Sequence, residues 1–124
     1  MLADTTRWAD WNPFIRSLAG RLEPGARLTA RMHPAGRRPM TFRPVVTVAE
    51  PGRELRWQGR VFLPHVFDGE HHVTLDPAPA GTRLRHGERF AGLLVPLVDV
   101  AGFTQDFNAM NAALQARCEA ARAP

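Results

Sequence analysis

Three side chains of this sequence, His71, His86 and Glu88, combine types and spacing that could move a proton. In the run from Gly81 to Phe90 the side chains alternate in kind, as a half-buried strand requires. One face carries Thr82, Leu84, His86, Glu88 and Phe90; the other carries Arg83, Arg85, Gly87 and Arg89. The arginine face must meet water, so His86 and Glu88 share the inner face with Leu84 and Phe90. An ionisable group there is costly unless it is paired or used. An apolar surrounding raises a carboxyl pKa and lowers an imidazole pKa, while mutual pairing pushes both the other way. A His/Glu pair held so can act as general acid and base. Hydrogen-bonding each other, or holding the polar end of a ligand, are the plainer roles for the same residues.

The elements that position them can be read from period-two alternation. Leu28, Ala30 and Met32 mark a first strand. Phe42, Pro44, Val46 and Val48 mark a second, with Pro44 at a bulge or unpaired stretch. Leu55, Trp57, Gly59 and Val61 oppose Arg56, Gln58 and Arg60 in a third. After a loop from Pro64 to Asp68, His71, Val73 and Leu75 oppose Glu70, His72 and Thr74 in a fourth, and the run from Gly81 to Phe90 is the fifth. Residues Met1 to Ala19 read as helical, with Trp8, Trp11 and Phe14 or Ile15 at helix spacing, a break at Pro13 and Asn12 shaping it. Val100, Phe103, Phe107, Met110, Leu114, Cys118 and Ala121 step by three or four, the stripe of a long C-terminal amphipathic helix. Five strands with one apolar face are the partner for that stripe, giving an α+β antiparallel meander that grips the helix.

Hairpin geometry then places the polar groups. A tight Pro51-Gly52 turn sets Val48 opposite Leu55 and Val46 opposite Trp57. The next turns put Trp57 beside Val73, Gly59 beside His71, and His71 opposite Glu88, each register free to slip by two residues without changing faces. Trp57, His71, His86 and Glu88 therefore point into one space.

Composition excludes several classes of function. The 124 residues make one domain, 1–124, with 44% hydrophobic and 23% charged residues. The apolar run from Leu93 to Val98 is interrupted by Pro96 and far too short to span a bilayer, and the N-terminus lacks a signal-peptide pattern. The lone Cys118 rules out an internal disulfide, which fits a cytoplasmic location. All 16 basic residues are Arg, which reads as GC-rich coding bias; they are dispersed, so no nucleic-acid partner is expected. With no Lys there is no Schiff-base chemistry. His65, His71, His72, His86, Asp68, Glu70 and Glu88 cluster in sequence, but facing rules leave only His71, His86 and Glu88 inside, without HxH, HExxH or CxxC spacing. No metal is expected, and without a phosphate-cradling or dinucleotide motif no cofactor either.

Trp11-Asn12-Pro13-Phe14, Glu54-Leu55-Arg56-Trp57-Gln58-Gly59, Gly69-Glu70-His71, Thr82 to Gly92 and Met110-Asn111-Ala112-Ala113-Leu114 resemble, in order and over nearly the whole chain, the polyketide cyclase/dehydrase-like branch of the START-like (SRPBCC) superfamily. The resemblance implies a helix-grip fold, a curved antiparallel sheet wrapped around a long C-terminal helix. It also implies a cavity between them for a small, largely apolar molecule, lipid- or polyketide-like. Trp57, Val46, Val73, Leu84, His86, Phe90, Phe103, Phe107 and Met110 are its expected walls. The enzymatic alternative is a cyclase or dehydratase acting on a poly-β-ketone, with His71 and Glu88 as acid and base. A third reading is a partner-binding module using the arginine face or an open sheet edge. Such proteins begin with a strand before the first helix, and this sequence opens inside that helix. The expectation is a shortened domain whose unpaired edge offers a homodimer contact and whose upstream extension would be more stable.

Overall fold

A computed structural model describes residues 1–61 and 63–123, with Val61 described by its backbone only. The inward placement expected of the Val61 side chain lies outside the described residues. The chain forms two compact units, one from Met1–Ala19, Thr29–Phe42 and the segment from Asp99 onward, the other from Gly20–Leu28 and Arg43–Val98.

In the first unit the N-terminal stretch is not the helix its spacing suggests. A short 3-10 turn, Thr5–Asp10, buries Trp8, whose indole Nε1 donates to the Leu2 carbonyl at 3.1 Å. The buried Asn12 then turns the chain, its Oδ1 accepting from the backbone N–H groups of Phe14 at 3.0 Å and Ile15 at 2.9 Å. The chain continues as a strand, β1 (Ile15–Ala19), antiparallel to β2 (Thr29–Met32), which pairs in turn with β3 (Met40–Phe42). Ile15 pairs with Met32 and Ser17 with Arg31, so Arg16 is an extra residue at a bulge. The bulge puts Ile15 and Leu18 on one buried face three residues apart, an interval that imitates a helix.

The C-terminal helix, α1 (Ala101–Arg122), is present where the apolar stripe places it. It buries Phe107, Met110 and Leu114, and Phe14 meets Phe107 edge-on with ring centroids 5.4 Å apart. Each such side chain contributes roughly 1.5–3 kcal/mol of transfer free energy on full burial. Asp106, also buried, accepts from the Ala35 N–H at 3.0 Å. Arg37 pairs with Asp99 at 3.1 Å and lies over the Phe103 ring at 5.3 Å. The loop between β2 and β3 is thereby tied to the first turns of α1.

The second unit is a four-stranded antiparallel sheet in sequential order: β4 (Val45–Glu50), β5 (Glu54–Val61), β6 (Phe67–Ala78) and β7 (Gly81–Ala91). The described chain thus has seven strands where alternation indicates five. The expected second strand is two, because Pro44, which carries no N–H, sits between β3 and β4, and these belong to different sheets. Residues 25–28 run along β4, with Val46 N–H donating to Ala26 O at 2.9 Å and Leu28 N–H to Pro44 O at 2.8 Å. The fourth strand begins at Phe67, so Asp68 lies in the sheet and not in a loop.

Two registers also differ from expectation. Val46 does face Trp57, but a bulge before Val48 moves Val48 opposite Arg56 and Ala49 opposite Leu55. Between β5 and β6 the pairing is offset by two residues: Trp57 faces His71, Leu55 faces Val73 and Gly59 faces Gly69. A two-residue offset preserves every face, so the hydrophobic pattern alone could not distinguish these alternatives.

Candidate functional site

Three cross-strand rows compose the inner face of β5–β7. The first is Leu55–Val73–His86, the second Trp57–His71–Glu88, the third Gly59–Gly69–Phe90. The middle row carries the chemistry. His71 is 2% exposed, and its ring lies on the Trp57 indole with centroids 4.3 Å apart and 4° between planes. On its other side His71 Nδ1 stands 3.8 Å from Glu88 Oε2. Diagonally, His71 Nε2 is 3.0 Å from Nε2 of His86, a hydrogen bond between two imidazoles. Directly opposed and diagonal positions are the ones whose side chains meet across a ladder.

Glycine makes the room. A Cβ at Gly69 would stand 2.8 Å from Glu88 Oε1, so the carboxyl group occupies the space that any other residue at 69 would fill. Gly59 faces Gly69 in the pairing, and Gly69 in turn faces Phe90, so two of the three positions in this row carry no side chain.

Burial sets the protonation states. Removed from water, the His71 imidazole has its pKa lowered from 6.5 to about 3, with His72 adding a smaller effect in the same direction. It is neutral at physiological pH. Burial raises Glu88 from 4.5 to about 7, opposed by the smaller influences of His86 and His72. A carboxyl group so placed exchanges its proton near neutrality, the range in which a general acid or base is most effective.

The outer face behaves as the alternation implies. Arg83, Arg85 and Arg89 are exposed. Arg85 pairs with Asp76 at 2.8 Å, Arg60 with Asp68 at 3.7 Å, and Arg56 with Glu54 and Glu70. His72 packs against Gly87 on this side.

Of the expected pocket residues, Trp57, Val46 and Val73 are buried and Leu84, His86 and Phe90 half-buried in the four-stranded sheet. Phe103, Phe107 and Met110 stand on α1 in the first unit, where both phenylalanines pack with Phe14. Sequence reading missed the part played by Gly69. Its signal was a glycine inside a strand, aligned with a second one at Gly59. Among the described residues no three His, Cys, Asp or Glu side chains converge as metal ligands, and no helix is long and apolar enough to cross a membrane.

Antiparallel sheets and one long C-terminal helix are the elements of the α+β helix-grip class. The chain belongs to the polyketide cyclase/dehydrase and lipid transport family, whose profile matches residues 1–119. No curated protein sequence matches it. Among solved structures it is similar to the di-domain ARO/CYC StfQ from the steffimycin biosynthetic pathway, at TM-score 0.60 and 13% identity. That match covers 95% of this chain but 45% of StfQ, so the likeness concerns the fold.

Proposed function

We propose that the inner face of β5–β7 binds a small, largely apolar molecule, lipid- or polyketide-like, through its hydrophobic body and one polar end. The observation that carries this reading is the grouping of His71, His86 and Glu88 on a face otherwise built from Leu55, Trp57, Val73, Leu84 and Phe90. Apolar surroundings with a few converging polar groups are the usual composition of a small-molecule site. The family's span over cyclases, dehydrases and lipid transport supports the same ligand chemistry. Native mass spectrometry of freshly purified protein, compared with its denatured mass, tests this. A small molecule lost on denaturation supports it. A bare mass, together with no binding of a fluorescent acyl probe, overturns it.

A second reading, a cyclase or dehydratase acting on a poly-β-ketone, draws on the protonation states. Glu88, near half-ionised at neutral pH, can take a proton from carbon between two carbonyls or deliver one to a departing hydroxyl. His71, fixed neutral by burial, can pass or hold a proton beside it. Loss of turnover of a poly-β-ketone analogue in Glu88→Gln, with binding retained, supports the enzymatic reading. Unchanged turnover rejects it.

A further inference from the structure

Two imidazole nitrogens 3.0 Å apart can share one proton between them and no more while both rings are neutral. The proton on His71 therefore dictates the proton on His86. If His71 carries hydrogen on Nδ1, its Nε2 accepts and His86 Nε2 donates. If His71 carries hydrogen on Nε2, His86 Nε2 accepts and His86 holds its own hydrogen on Nδ1. The Nδ1 atom of His71 faces the Glu88 carboxyl group, which completes a line of three residues.

We propose that Glu88, His71 and His86 form a proton relay, with His71 passing the proton between its two nitrogens and His86 as the end that meets the bound molecule. In the base form Glu88 is a carboxylate, His71 carries hydrogen on Nδ1, and His86 carries it on Nε2. A proton leaves the substrate for His86 Nδ1, the Nε2 hydrogen of His86 passes to His71 Nε2, and the Nδ1 hydrogen of His71 passes to Glu88. One C–H and two N–H bonds break; two N–H bonds and one O–H bond form. The reverse sequence delivers a proton. The net change is one proton moved from substrate to Glu88, leaving the electron pair of the broken bond on the substrate.

Three features support this assignment. Both imidazoles are neutral in the initial and final states, which suits a His71 only 2% exposed, where an imidazolium is heavily penalised. The end assigned to the ligand, His86, is half-buried and thus the more open of the two rings. The stack on Trp57 prevents the His71 ring from turning out of line. His71 Nδ1 and Glu88 Oε2 stand 3.8 Å apart, so the relay requires the carboxyl group to approach the ring, beside a position 69 that carries no Cβ. Among the titratable groups near Glu88, His71 and His72 belong to β6 and His86 to β7; the β5 ion-pairing residues Glu54, Arg56 and Arg60 alternate onto the other face.

The relay rests on the enzymatic reading, that the site moves protons, but its test requires no ligand. Long-range proton–nitrogen NMR on histidine-labelled protein reads which nitrogen of each ring carries hydrogen. As pH rises through roughly 5 to 9, the His71 hydrogen should move from Nε2 to Nδ1 and the His86 hydrogen from Nδ1 to Nε2, with one common midpoint. In Glu88→Gln both movements should vanish. Independent midpoints, an unmoved His71 tautomer, or a His86 change that persists in Glu88→Gln would overturn the relay. None of those outcomes would touch the enzymatic reading itself, which turnover of a poly-β-ketone analogue in Glu88→Gln decides separately.

Discussion

The Trp57 indole and the His71 imidazole lie face to face, 4.3 Å apart and within 4° of parallel, at directly opposed positions of β5 and β6. That stack fixes the plane of a buried imidazole whose two nitrogens address Glu88 on one side and His86 on the other. A ring free to rotate could not keep both contacts.

Truncation at this stack should be expensive. Trp57→Ala should lower unfolding free energy by about 3–5 kcal/mol, the usual cost of deleting a buried large aromatic. Trp57→Phe keeps a face for His71 and should cost markedly less. Urea denaturation of both variants measures this, and equal losses would show that a phenyl ring at 57 restores none of the support that the indole gives His71.

The Glu88 carboxyl group links stability to pH. Between about 4.5 and about 7 the folded protein holds a proton there that the unfolded chain releases, so Glu88 lowers stability as pH rises through this window. His71 acts oppositely: between about 3 and 6.5 the unfolded chain binds the proton, so stability falls as pH drops. Glu88→Gln should therefore gain on the native protein as pH rises from 4.5 to 8, by an order of roughly 2–3 kcal/mol. Parallel stability curves for the two proteins would contradict the burial assigned to Glu88.

Two glycines should respond differently to a methyl group. Gly69→Ala places Cβ against Glu88 Oε1 at 2.8 Å, the far end of a side chain that can turn away. The fold should survive while the Glu88 midpoint shifts. Gly92, at φ +124°, would bring Cβ within 2.5 Å of the Val66 carbonyl oxygen, which is backbone. Gly92→Ala should cost at least about 1–3 kcal/mol. Thermal denaturation together with a carboxyl titration separates the two cases.

The loop between β2 and β3 depends on one buried carboxylate. Asp106→Ala leaves the Ala35 N–H without its acceptor and should destabilise by about 1–3 kcal/mol. Hydrogen exchange at Ala35 and Arg37 should accelerate, while exchange in β5–β7 stays unchanged. Acceleration spread evenly over the chain would show that Asp106 supports global packing and not this tether.

Much of this protein was legible as pattern. Alternation in β7 placed Leu84, His86, Glu88 and Phe90 on the covered face and three arginines on the wet one. The three-and-four stepping from Phe103 to Leu114 located α1, and His71 opposite Glu88 could be read from face and turn length. These features are local: a strand or helix must hide one side of itself, and the residues record which. What only tertiary structure decided has another cause. The bulge at Arg16 lets a strand wear helical spacing, and Pro44 divides one alternating run between two sheets. The offset that brings Trp57, not Gly59, opposite His71 leaves every face unchanged, so it is set by which rings and glycines pack best. The bond between His71 and His86 is diagonal across the ladder of β6 and β7, and no single strand's sequence contains it.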